Sequence, residues 1–193
     1  MIVYDHMTNW VPQVSLLRPG YVLHHTVTAL AAAFGRGCSK EILEIDERIQ
    51  EYQDLAVQKW LPLLFSADTA SQKSWRNVEQ ALNGLSQLLS ERHNDPWLRD
   101  LTGANRQSPI IREAVRLLAD SVLRVETSDE SQAQREATKA LPLFQRSHVP
   151  AGELRSKLVL ILVEQFEHRD WPCEAMAQTI RRQPSLQRYA WIQ

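Results

Sequence analysis

Residues 108–125 read SPIIREAVRLLADSVLRV, and the spacing of their apolar side chains decides the fold. Ile111, Val115, Leu118, Val122 and Val125 recur at alternating steps of four and three. At 3.6 residues per turn that places them in one stripe along a helix, whereas a strand would need a step of two. The same step runs through Ile42, Ile45, Ile49, Tyr52 and Ala56, and again through Trp75, Val78, Leu82, Leu85 and Leu89. A narrow apolar stripe is stable only when buried against another. Nothing in the chain alternates like a strand. The expectation is an all-α protein of about seven to nine helices, a bundle grading into a short helical array, within a single domain over 1–193.

Helix boundaries are written in caps and breakers. The spacing predicts a first helix over 21–34, ended by Gly35 and Gly37. A second runs from Ser39 to about Phe65, with Pro62 loosening its last turn because proline has no N–H to donate. A capping box over 69–72 opens a third, which ends near His93. A short turn of helix follows through Leu101, with Asp95 as its cap, Pro96 at its first position and Gly103 closing it. Ser108-Pro109 opens the stripe quoted above. The polar stretch 126–130 is the best candidate for a hinge between subdomains. Beyond it lie a helix ending around 141–144, an apolar one over about 151–168, and two short terminal helices divided by 183–185. The uninterrupted apolar run 158–163 predicts that Leu158, Ile161 and Leu162 are among the most buried residues.

Composition narrows the function. A chain of 193 residues that is 44% hydrophobic and 23% charged has the balance of a soluble globular protein. Its formal charge of −1 supplies no global attraction for nucleic acid or an anionic membrane. Cys38 and Cys173 alone cannot make a disulfide framework or a structural zinc site. The first 20 residues carry Asp5, His6, Asn9 and Pro12 where a signal peptide has a basic start and an apolar run. No apolar segment approaches the roughly 18 residues of a membrane span. A cytoplasmic setting is expected, with no cofactor.

An internal echo suggests a degenerate two-fold repeat: KWLPLLF at 59–65 returns as KALPLF at 139–144, about 80 residues on. Convergent turn chemistry explains the same resemblance.

Candidate chemical residues are few. His24 and His25 sit in an apolar helix and diverge by about 100° around it, so they cannot easily share a metal. An enzyme reading would gather one of them with carboxylates from other helices. Glu164 and His168 share a helix face with Asp170 and Cys173 close behind, which reads as an exposed ion pair at a helix end before it reads as a metal site. The segment GRGCSK at 35–40 lacks the strand and glycine-to-lysine interval of a phosphate cradle, and Cys38 has basic neighbours but no other mark of a nucleophile. Glu44, Glu47, Glu51 and Asp54 form an acidic stripe out of phase with the apolar one, pointing to solvent and open to a basic partner.

Two features near the carboxyl end complete the inventory. Arg181, Arg182 and Arg188 follow a helix and a tight turn, the loose outline of a DNA-binding helix-turn-helix. Trp191 and Ile192 are large apolar side chains expected to pack on this chain or on a second copy. Stripes and caps abound where site chemistry does not. The sequence is therefore read as a non-enzymatic helical module, an adaptor, chaperone, regulator or immunity-type protein. It would bind a protein partner through an inter-helix groove or the acidic helix face, with homo-oligomerisation open.

Overall fold

The computed structural model describes residues 48–66, 72–166 and 170–190, which form seven helices and no strand. Helix α1 is one continuous rod made of Ile49–Leu55, a π-helical turn Ala56–Trp60, and Leu61–Phe65. The wide turn has a local cause. Pro62 cannot donate to the carbonyl four residues back and its ring crowds that group, so the backbone expands ahead of it and the Leu61 amide bonds to Ala56 O, five residues back. Helix α2, Gln72–Arg92, buries the expected stripe of Val78, Leu82, Leu85 and Leu89. Asn94 then takes a left-handed φ of 50° and turns the chain into α3, Trp97–Thr102. Here the expectation shifts by one place. Pro96 occupies the cap position, and Gly103 closes the helix at φ −76°, a conformation any residue adopts.

Helices α4 (Pro109–Glu126), α5 (Glu130–Arg146) and α6 (Pro150–Phe166) form a three-helix bundle in which each packs on the other two. Ser108 caps α4 through the Ile111 amide and Asp129 caps α5 through the Gln132 amide. Within the stretch 126–130, residues 127–129 form a three-residue turn between α4 and α5. Its twin joins α5 to α6. In both, a left-handed residue (Ser128 at φ 55°, His148 at φ 52°) lets the next amide reach five residues back, Asp129 to Arg124 and Val149 to Phe144. Along α5 the buried apolar positions are Ala133, Ala137, Ala140 and Phe144. Three alanines in a row let neighbouring backbones approach closely, and at the end of that stripe Gly152 of α6 sits directly on the Phe144 ring. Pro142 lies inside α5 without any π turn, so the two halves of the sequence echo differ in backbone geometry.

Helix α7, Asp170–Arg181, folds back along α6 and leads into a 3₁₀ turn, Pro184–Leu186. Residues 182–190 form a strap whose Leu186 and Tyr189 are fully buried. A single buried cluster extends from Ala56 to Tyr189.

The apolar run 158–163 corrects the sequence reading. Leu154, Val159 and Val163 are the large apolar side chains that α6 buries, whereas Leu158 and Ile161 are half-buried and Leu162 is 36% exposed. Phe166, on the same face, is 45% exposed. A run without polar residues covers every side of a helix, and among the described residues α6 has neighbours on only some of them. No helix among the described residues is long and apolar enough to cross a membrane.

Candidate functional site

Two polar constellations lie side by side where α3 meets α6. The first is buried. Arg155 of α6 donates from Nη2 to Asp54 Oδ1 at 3.0 Å, and its guanidinium stands 5.1 Å from the centre of the Trp97 ring. Trp97 Nε1 donates to Gln53 Oε1 at 2.9 Å. Asp95, just ahead of α3, completes the group. Burial pushes its carboxyl above the usual range, while the amides of Trp97 and Ala190 and the Arg155 charge act in the opposite direction. Burial likewise opposes the Arg155 charge, and Asp54 and Asp95 support it. This network ties α1, α3, α6 and the strap. A buried polar group stripped of its partner costs about 1–3 kcal/mol, so a slipped register is penalised at several points together.

The second constellation is an open groove of about 510 Å³. Its walls are the α3–α4 connection, the α5–α6 turn and the strap. Buried Ile111, Val149 and Tyr189 make the floor, and exposed Arg99, Asn105, His148 and Arg188 make the rim. The strap is fastened here by Asp100, whose Oδ2 accepts from the Tyr189 hydroxyl at 3.0 Å and pairs with Arg188 Nη2 at 2.9 Å. Burial and the Asp100 carboxylate push the Tyr189 phenol well above its ordinary range, so it remains a donor. At its other end the strap is held by Gln183, which donates to Glu153 Oε1 at 2.8 Å and accepts from Lys157 at 2.6 Å.

The residues singled out in the sequence fall as follows. Glu51 is exposed and paired with Arg48. Asp54 departs from the expected solvent stripe and turns toward buried Arg155, so the acidic face is narrower than the sequence suggested. Glu44 and Glu47 lie outside the described residues, as do His24, His25 and Cys38, and so do His168, Trp191 and Ile192. The side chains of Asp170 and Cys173 also fall outside them. Glu164, expected at an exposed helix end, is buried against α5 and accepts from Gln134 at 3.2 Å. Among the described residues no group of three His, Cys, Asp or Glu side chains could hold a metal.

Arg181 and Arg182 are exposed at the end of α7, and Arg188 is spent on Asp100. The second helix of the helix-turn-helix outline is replaced by the three-residue turn Pro184–Leu186. Leu186 and Tyr189, three apart, were the signal for that strap. Sequence reasoning missed the groove because its walls come from segments up to 90 residues apart. Comparison with family models, with curated proteins and with solved structures finds no match to the chain.

Proposed function

We propose that this chain is a non-enzymatic protein-binding module of the cytoplasm, and that its partner docks in the groove between α3, the α5–α6 turn and the strap. The observation that carries the reading is the make-up of that groove: an apolar floor of Ile111 and Val149 inside a rim of exposed polar side chains. An apolar centre with a polar rim is the usual anatomy of a protein–protein contact. The fastening of the strap supports it, since a wall held by the Tyr189 and Arg188 contacts to Asp100 presents a preorganised surface and reduces the ordering cost of binding. Adaptor, regulator, chaperone and immunity-type roles all use such a surface.

A photo-crosslinking residue introduced at Asn105, on the rim, tests the proposal in the cell of origin. Capture of a defined protein from Asn105, and not from Arg135 on the exposed side of α5, is the expected result. Equal labelling from both positions would sink it.

A further inference from the structure

We infer that the groove is built for an extended acidic segment, with an apolar side chain on its floor and carboxylates against Arg99. This inference rests on the reading of the groove as the docking site and specifies the chemistry of the partner. Charge is the first ground. Among the described residues the rim carries two guanidiniums, Arg99 and Arg188, against one carboxylate, Asp100. Asp100 is already engaged by the Tyr189 hydroxyl and Arg188. Arg99 is not so engaged: its side chain is 62% exposed and its Nε lies 4.0 Å from Asp100, the outer limit of an ion pair. The groove thus offers positive charge outward from a chain whose own net charge is −1.

Shape is the second ground. A volume of about 510 Å³ open to solvent accommodates a few side chains of an extended segment. Tyr189, the one aromatic residue of the groove among the described residues, is fully buried with Arg188 stationed 5.7 Å from its ring centre, so its ring face is not open for a nucleic-acid base to stack upon. An apolar residue flanked by glutamates or aspartates matches both floor and rim.

Fluorescence polarisation with the full chain provides the test. The probes are labelled Glu-Glu-Leu-Glu-Glu, its glutamine and lysine counterparts, and a single-stranded oligonucleotide. The glutamate peptide is expected to bind best. Arg99→Glu is expected to weaken it about tenfold, and Arg135→Glu, away from the groove, to leave it unchanged. Arg99 and Arg135 are both exposed, and an unaltered thermal midpoint for each variant verifies that the fold is intact. Equal binding of the glutamine peptide, preference for the oligonucleotide, or indifference to Arg99→Glu overturns the inference. If no peptide binds while the Asn105 crosslinker still captures a protein, the docking reading stands and the acidic one falls. Failure of both experiments removes both.

Discussion

At the scale of single residues, Gly152 and Phe144 make a contact that leaves no space for a larger side chain at position 152. A methyl group on Gly152 would lie 2.3 Å from Phe144 Cδ1, and Phe144 is fully buried with no room to move aside. Gly152→Ala is therefore expected to cost about 2–3 kcal/mol in chemical denaturation, as overpacking does, despite alanine's better helix propensity. Adding Phe144→Leu should recover part of the loss, since a smaller side chain makes space; two independent, additive penalties would refute the contact. Trp60 and Trp97, the two fully buried tryptophans among the described residues, offer a second comparison. Trp97 Nε1 is bonded to Gln53, whereas Trp60 Nε1 meets no acceptor among the described residues. Trp97→Phe strands a buried amide and Trp60→Phe strands nothing, so the former should be the more damaging by about 1 kcal/mol. None of this was legible in the sequence. A glycine in the first turn of a helix and two tryptophans near helix ends give no sign of their contacts until the partner across the interface is known.

Whole elements were far easier to read, because a helix announces itself locally. The stripes of α2 and α4 and the cap at Ser108 depend on neighbours within four residues. The errors came where a distant surface decides. The run 158–163 says that α6 is apolar all round, but only the packing of α4, α5 and α7 selects which side is covered. Leu154→Ala, in the buried row, should lose about 2–5 kcal/mol by transfer energy and cavity formation. Leu162→Ala, more than a third exposed, should lose less than about 1 kcal/mol. Equal losses in urea would mean that α6 is seated on its other face. The turns taught a similar lesson. Ser128 and His148 do the work usually given to glycine at the end of a helix, so a search for glycine alone passes over both. Proline was the better guide, marking the start of α4 and α6 and the widened turn in α1.

For the molecule as a whole, the carboxylate of Glu153 joins α5, α6 and the strap through Gln145, Lys157 and Gln183. Burial alone would raise its pKa, but the three donors outweigh it and hold the group below its ordinary value of 4.5. A depressed carboxylate contributes stability above its unfolded pKa and loses it as pH falls through the folded one. Glu153→Gln should accordingly be less stable than the natural chain by about 2 kcal/mol near neutrality, with the difference shrinking as the pH falls below the ordinary carboxylate value of 4.5. A gap that persists undiminished in acid would show that packing, not charge, is what the substitution disturbs. The strap itself carries a consequence in time. Helices α4, α5 and α6 meet their neighbours in chain order, each starting about 20 residues after the last, and such local contacts form early in folding. The strap reaches Asp100 across 88 and 89 residues of intervening chain, and Arg155 reaches Asp54 across 101. Closing loops of that length before the bundle exists is entropically unfavourable, so these contacts should form after the rate-limiting step. In stopped-flow measurements Tyr189→Phe should hasten unfolding while refolding keeps its pace, and the end of the chain that walls the groove would be the first part to come loose.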